Sequence, residues 1–385
     1  MNLLHPFWAE INLDNFIYNI NEIKSHIGNS KIIGIVKANA YGHGAVEISK
    51  TLLENGAETL AVANIVEGIE LREADIKAPI MILGVSEEFA IDAIINYDME
   101  PTISSLEFAN TLNNKAKESN KTINIHIALD TGMGRIGFLP SSKSLEEIAL
   151  ISKLSNLKIK STFSHFSTSD YKDKNYSNFQ LKTYNDFISE IEKYNIPVGN
   201  RNLSNSAAII DIPNAHFDNV RPGIIQYGYY PSDEVIKENF NLKPVLTWKT
   251  NIVHIKEVEK GAFIGYGKTF ETKRKSIIAT IPVGYADGYS RGLSNKGKVI
   301  INGQFAPIIG NVCMDQCMVD ITDLKDVNLN DEVILLGSDK NIKFDADDMA
   351  TLLGTINYEV LCLIGRRAPR VYIKDNKVIT IKHFI

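Results

Sequence analysis

The chain is poor in several things, and each shortage excludes a class of protein. Its 385 residues hold three cysteines, Cys313, Cys317 and Cys362. Three cannot make a disulfide framework, and an odd count suits a reducing compartment. Neither charge dominates: 41 Lys+Arg against 46 Asp+Glu leave a net charge of −5. That balance gives no electrostatic footprint for nucleic acid or an anionic membrane surface. No apolar stretch approaches the roughly 18 residues of a membrane span; runs such as Ile80-Met81-Ile82-Leu83 are strand-sized. The segment Met1-Asn2-Leu3-Leu4-His5-Pro6 has no basic region and no small-residue cleavage site, so no signal peptide is visible and a cytoplasmic location is expected. Internal repeats, charge blocks and low-complexity stretches are also missing. What remains is an ordinary globular composition, 44% hydrophobic and 23% charged, long enough for two domains with cores of their own.

Up to about residue 240, helical and strand patterns alternate. Phe16, Ile17, Ile20, Ile23 and Ile27 repeat at helical spacing, with Asp14 as candidate N-cap and Gly28 as stop. Ala45 to Asn55 reads as a second helix. Eight strand candidates precede residue 225: 32–36, 58–63, 79–84, 99–103, 122–129, 158–165, 199–205 and 217–221. Strands apolar on both faces and separated by helices imply a parallel sheet, and eight of them imply a closed (β/α)8 barrel. After Pro244 the texture becomes short and β-rich, in Asn251-Ile252-Val253-His254-Ile255, Lys298-Val299-Ile300-Ile301 and Glu332-Val333-Ile334-Leu335-Leu336. Asn302-Gly303 between apolar runs predicts a hairpin. Only 344–353 reads as helix, capped by Asp345. The expected organisation is a barrel over 1–240 and a mostly antiparallel β domain over 241–385.

Active sites of barrels sit at the C-terminal ends of the strands. Lys37 stands there, in Val36-Lys37-Ala38-Asn39-Ala40-Tyr41-Gly42-His43-Gly44. A lysine leaving an apolar strand is partly desolvated, which favours the neutral amine that forms Schiff bases; the plain alternative is a surface lysine ending a strand. Similar positions are Asp130-Thr131-Gly132-Met133-Gly134-Arg135, Ser164-His165-Phe166-Ser167, Asn205-Ser206-Ala207-Ala208 and Arg221-Pro222-Gly223-Ile224. Loops after the seventh and eighth strands often hold phosphate, a role open to Ser206, Gly223 and Ile224. Asn205 and Ser206 read equally as helix caps, and Arg221 as half of a surface ion pair. In the β domain, Gly265-Tyr266-Gly267-Lys268-Thr269 and Val283-Gly284-Tyr285-Ala286-Asp287-Gly288-Tyr289 place tyrosines among glycines, as a site loop or a β-turn would. Cys313-Met314-Asp315-Gln316-Cys317 lacks the second ligand cluster that zinc requires, so no metal is expected. His5, His26, His126, His216, His254 and His383 read as surface or core residues.

These motifs, in this order and over essentially the whole chain, resemble the alanine racemase family, whose members combine an N-terminal barrel with a C-terminal β domain. The resemblance implies a pyridoxal 5'-phosphate (PLP) enzyme, an isomerase converting L-alanine to D-alanine for peptidoglycan. It implies that Lys37 holds PLP covalently and serves as one catalytic base. Tyr266 would be the second base, supplied by the partner subunit of a homodimer. Tyr41, Ser206, Gly223, Ile224 and Tyr358 would bind the phosphate, with Asn205 beside it. Arg221 would face the pyridine nitrogen and His165 would link it to Tyr266. Arg135 and the partner-supplied Met314 would meet the substrate carboxylate or the cofactor hydroxyl.

Chemistry supports that division. Racemisation removes a proton from one face and returns one to the other, which two bases accomplish economically. A free tyrosine titrates near 10, and neighbouring cationic groups raise its phenolate fraction. An arginine cannot readily give up a proton to the ring nitrogen, so the ring stays a weak electron sink and transamination is suppressed. One departure stands out: many relatives carry a carbamylated lysine at the position of Ala128, where it orients the arginine corresponding to Arg135. Serine racemisation is the nearest alternative, disfavoured by Tyr358, which tightens the pocket. A non-catalytic PLP carrier would lack the β domain, and a PLP decarboxylase would carry a carboxylate in place of Arg221.

Overall fold

The computed structural model describes residues 3–238 and 240–383. The chain divides into two compact units: one comprises residues 17–40 and 44–243, the other the residues through Phe16, Tyr41–His43 and Pro244 onward. The first strand, β1 (Phe7–Asn12), belongs to the second of these.

The first unit is a closed parallel barrel of eight strands: β2 (Lys31–Ile35), β3 (Thr59–Val62), β4 (Ile80–Val85), β5 (Glu100–Ile103), β6 (Ile123–Ala128), β7 (Leu157–Phe163), β8 (Asn200–Asn202) and β9 (Asn219–Val220). β9 closes on β2 through Lys31↔Asn219 and Ile32↔Val220. Each strand falls at one of the eight expected positions. The cause is burial on both faces, as in β3, where Thr59, Leu60, Ala61 and Val62 are all buried. The helices pack one apolar stripe each. Ala45–Glu54 buries Ala45, Ile48 and Leu52 among others, and Leu13–His26 buries Phe16, Ile20 and Ile23 completely. The Leu13–His26 helix is capped by Asn12, whose Oδ1 accepts from Asn15 N at 2.9 Å. Asp14, expected as the cap, lies inside the first turn and accepts from Asp375 N instead.

The second unit adds β10 (Leu246–Asn251), β11 (His254–Val258), β12 (Phe263–Ile264), β13 (Phe270–Glu271), β14 (Ser276–Ile281), β15 (Lys298–Ile301), β16 (Gln304–Ile309), β17 (Cys317–Asp320), β18 (Glu332–Asp339), β19 (Ile342–Phe344), β20 (Arg370–Lys374) and β21 (Lys377–Lys382). Its large sheet runs β11-β14-β17-β16-β15-β18-β10-β1-β20-β21 and is mostly antiparallel. Here the expected division at residue 240 needs correction at the N-terminus. β1 pairs antiparallel with β10 and parallel with β20, so residues 7–12 form an inner strand of this sheet. The stretch 251–255, read as one strand, is two, with Ile252 and Val253 between β10 and β11. The Asn302-Gly303 hairpin forms with φ of 52° and 76°, as a two-residue turn between β15 and β16 requires. Ala346–Leu353 is capped by Asp345, and a helix not foreseen, Asn357–Leu363, follows it. Among the described residues no helix is long and apolar enough to cross a membrane.

Candidate active site

Lys37 follows β2 directly, and the backbone after it turns left-handed. Ala38, Asn39, Ala40 and Tyr41 all have φ between 52° and 53°, a conformation costing L-residues about 1–2 kcal/mol each. Local bonds hold it there. Glu67, on the helix Ile65–Glu73, accepts from Ala38 N through Oε1 and from Ala63 N through Oε2, both at 2.7 Å. Asn39 accepts from Gly44 N through its carbonyl and from Ala45 N through Oδ1, both at 2.9 Å. The turn fixes where the Lys37 side chain starts.

Across the same strand ends lies Arg221, directly after β9 and only 4% exposed. Its Nη1 donates to the carbonyl of Asn202 at 3.0 Å and to Asn202 Oδ1. Its Nη2 donates to Ser164 O at 2.6 Å and lies 3.4 Å from His165 Nδ1. The Phe163 ring sits 5.4 Å from the guanidinium carbon. Burial lowers the Arg221 pKa to about 10, with Arg135 pushing the same way. Burial also holds His165 well below the usual histidine range, and the charges of Arg221, Arg135 and Lys37 add to it. Lys37, Arg135, His165 and Arg221 are therefore gathered at one end of the barrel.

Two short turns follow β8 and β9. Asn205 caps Ser206–Asp211 through Oδ1 to Ala208 N, while Ser169 Oγ donates to the same oxygen at 2.8 Å. Gly223 N donates to Ser206 Oγ at 2.9 Å. This bond occupies a lone pair and leaves the Ser206 hydroxyl proton to be donated. It also commits the Gly223 N–H to Ser206, so Gly223 acts here by fixing that hydroxyl. Ile224 opens the next turn, where leading N–H groups lack intrahelical acceptors.

Arg135 is exposed, and Ala128, at the end of β6, is buried and offers only a methyl. The loop carrying Arg135 is nevertheless pinned. Asp130 Oδ1 accepts from Gly132 N and Gly134 N at 3.0 Å, and Tyr176 Oη donates to Gly132 O at 2.9 Å. Gly137, at φ 117°, lets the chain return against β6: a Cβ there would fall 2.8–2.9 Å from the backbone of Ala128, Leu129 and Asp130.

In the second unit, Tyr41 is buried, its pKa raised by that burial, and its ring lies 6.0 Å from that of Tyr358 on the helix Asn357–Leu363. Tyr266 stands on a turn between Gly265 and Gly267, both at φ 74°, and its carbonyl accepts from Asn311 Nδ2 at 2.8 Å. It is 74% exposed, and Met314 is 51% exposed. Met314 is set by Gly284: a Cβ there would meet the carbonyls of Cys313 and Met314 at 2.3 Å. Ala286 N also donates to Met314 O at 3.0 Å. Glu67 and Asn202, both central to this geometry, went unnoticed in the sequence. The only available signals were an Asn and a Glu near strand ends. Among the described residues no group of three or more metal-ligating side chains forms.

Against known proteins, the chain matches the family model "Alanine racemase, N-terminal domain" over residues 11–231 and "Alanine racemase, C-terminal domain" over 245–372. It is 56% identical to an alanine racemase of Clostridium kluyveri over 380 residues, 99% of this chain and 97% of that one. Among solved structures it resembles alanine racemase of Clostridium difficile, at 42% identity and a TM-score of 0.96, with both chains covered completely. It also resembles alanine racemase from Bartonella henselae with covalently bound pyridoxal phosphate, at 29% identity and a TM-score of 0.84, over 96% of this chain and 99% of that one. All three are named for alanine, which favours alanine over the serine alternative.

Proposed function

This chain belongs to the alanine racemase family, and from that membership we propose that it interconverts L-alanine and D-alanine with PLP as cofactor. In the cytoplasm of its cell it would supply D-alanine for peptidoglycan. The observation that carries this reading is the gathering of Lys37, Arg135, His165 and Arg221 at one barrel end. The donor set fits the cofactor: an amine for its carbonyl, a guanidinium for its ring nitrogen, and the Ser206 hydroxyl with nearby turn N–H groups for its phosphate. When bound, PLP supplies a carbonyl that amines condense with and a conjugated ring that draws electron density from the α-carbon.

The protein's own residues divide the remaining work. Lys37, anchored by the left-handed turn, holds the cofactor and moves a proton at the α-carbon on one face. Tyr266 moves a proton on the other. Ser206, Gly223, Ile224, Tyr41 and Tyr358 secure the phosphate end, with Asn205 beside them keeping the Ser206 turn in register. Arg221 directs N–H donors at the ring nitrogen without releasing a proton to it, and His165 stands between Arg221 and Tyr266. Arg135 and Met314 meet the substrate carboxylate or the cofactor hydroxyl. The exposure of Tyr266 and Met314 supports a symmetric homodimer in which each chain lends these two residues to its partner.

The test is racemisation of L-alanine and L-serine in parallel with purified protein and PLP. Alanine turnover exceeding serine turnover by about a hundredfold is expected, the discrimination one hydroxyl allows against a hydrophobic wall. No turnover of either, with PLP covalently attached at Lys37, overturns the racemase reading.

A further inference from the structure

Buried among four neighbouring barrel strands is a row of polar side chains for which the reaction above has no use: Glu100 on β5, His126 on β6, Ser161 on β7 and Asn202 on β8. They are 6%, 2%, 3% and 0% exposed. Barrel interiors are normally packed with branched aliphatic residues, and each buried polar group costs free energy unless it is bonded. Here each is bonded to the next. Asn202 Nδ2 donates to Ser161 Oγ at 3.2 Å, Ser161 Oγ lies 2.6 Å from His126 Nδ1, and His126 Nε2 lies 3.2 Å from Glu100 Oε2. Asn202 Oδ1 in turn accepts from Arg221.

The two ends of this row determine its direction. A guanidinium can only donate and a carboxylate can only accept. Asn202 must therefore present Oδ1 to Arg221, which leaves its NH2 for Ser161. The Ser161 hydroxyl proton then goes to His126 Nδ1, and the neutral imidazole carries its proton on Nε2, toward Glu100. The Glu100 end is anchored by Lys160 Nζ at 2.7 and 2.9 Å from its two oxygens and by Asn124 Nδ2 at 3.0 Å. Among the described residues Arg221 itself has uncharged acceptors, from Asn202, Ser164 and Leu203, with His165 at the edge. Among these acceptors, Asn202 offers an amide whose orientation could reverse. A reversed amide would set NH2 against the guanidinium, donor to donor.

We infer that Glu100, His126, Ser161 and Asn202 form a one-way hydrogen-bond chain that locks the Asn202 amide and thereby holds Arg221 in its working position. They are positioning residues, and the inference rests on Arg221 facing the ring nitrogen. With the chain broken, Arg221 shares its place with conformers that admit water to the ring nitrogen. Through that water the nitrogen can take up a proton from solvent; the protonated ring would be a better electron sink, and more turnovers would end in transamination, in which the α-amino group passes to the cofactor and alanine leaves as pyruvate.

The experiment compares wild type, Ser161→Ala and Ser161→Thr. Histidine-selective 15N NMR of the protein without cofactor should show His126 neutral, with its proton on Nε2 and a bare Nδ1. In Ser161→Ala the Glu100 carboxylate should keep the proton on Nε2 while the Nδ1 signal moves to that of an unbonded imine nitrogen, and Ser161→Thr, which keeps the hydroxyl, should restore the wild-type signal. With PLP and L-alanine, Ser161→Ala should raise pyruvate formed per racemisation turnover about fivefold, the net worth of one hydrogen bond, and Ser161→Thr should reverse it. A wild-type His126 carrying its proton on Nδ1 overturns the chain. An unchanged pyruvate ratio in a Ser161→Ala protein that merely melts earlier overturns its link to Arg221. A wild-type protein that takes up no PLP overturns the reading of the site itself, and with it the role given to Arg221.

Discussion

Arg221 is 4% exposed and bonded to acceptors from two segments of the barrel, whereas Tyr266 is 74% exposed on a turn between two glycines. The barrel end is finished before any second molecule arrives: its Arg221 is buried, the Asn202 amide orientation is set, and its lysine is launched from a fixed turn. The tyrosine turn is held by the bond from Asn311 to the Tyr266 carbonyl and by one from Asn295 to the Thr269 hydroxyl. Preorganised polar groups lower the reorganisation needed during reaction, so one region keeps its geometry alone. An exposed phenol with no burial of its own gains a defined environment only from something that docks against it. This is the structural argument for a composite site.

The contrast is easiest to break with matched substitutions. Lys37→Ala and Tyr266→Phe should each lower racemisation by about a hundredfold or more, the scale of general acid–base catalysis, measured by the optical rotation of alanine solutions. Stability should separate the regions. Arg221→Met strands several buried acceptors at about 1–3 kcal/mol each, and a net loss of roughly 2–4 kcal/mol is expected in urea unfolding. Tyr266→Phe, at the surface, should cost less than about 0.5 kcal/mol. Equal losses would erase the distinction.

Acid sharpens it next. Burial alone would raise the Glu100 pKa, but the bonds and charges of His126 and Lys160 outweigh it and bring it down to about 2 from 4.5. A carboxylate depressed in the folded state adds stability above its unfolded value and loses it as pH falls through the folded one. His126 is lowered by burial from 6.5; the unfolded chain takes up its proton first, so stability again falls toward acid. Wild type should thus weaken below about pH 6.5 and more steeply below 4.5, while the gap between wild type and Glu100→Gln narrows toward pH 2. A gap constant with pH would contradict this. The smallest effect belongs to the other unit. Asp345→Ala removes a cap that accepts from Asp347 N and Asp348 N, costing about 1 kcal/mol with racemisation unchanged.

What the sequence discloses follows the same divide. Strands such as β3 and β4 read correctly because burial writes apolar runs into them, and strand-end logic singles out Lys37, Arg135, His165 and Arg221, which the structure places at one end of the barrel. β1 stays hidden because its partners β10 and β20 lie more than two hundred residues away in sequence. The helix Asn357–Leu363 is short and begins at Ile356 with no side-chain cap. Nothing in Ala38-Asn39-Ala40-Tyr41 announces a left-handed turn, since no glycine marks it. Glu100, Ser161 and Asn202 look unremarkable one at a time; only the register of β5 to β8 turns them, with His126, into a chain. The visible hint was charge, at Glu100 and Lys160, inside barrel strands.

The most direct test of the composite site is to mix Lys37→Ala with Tyr266→Phe under conditions of proven subunit exchange. Half of the dimers would then be mixed, and each would hold one site with both an intact lysine and an intact tyrosine. Racemisation should recover toward about one quarter of the wild-type rate. No recovery, with mixed dimers demonstrated, would place both bases in a single chain and contradict the account.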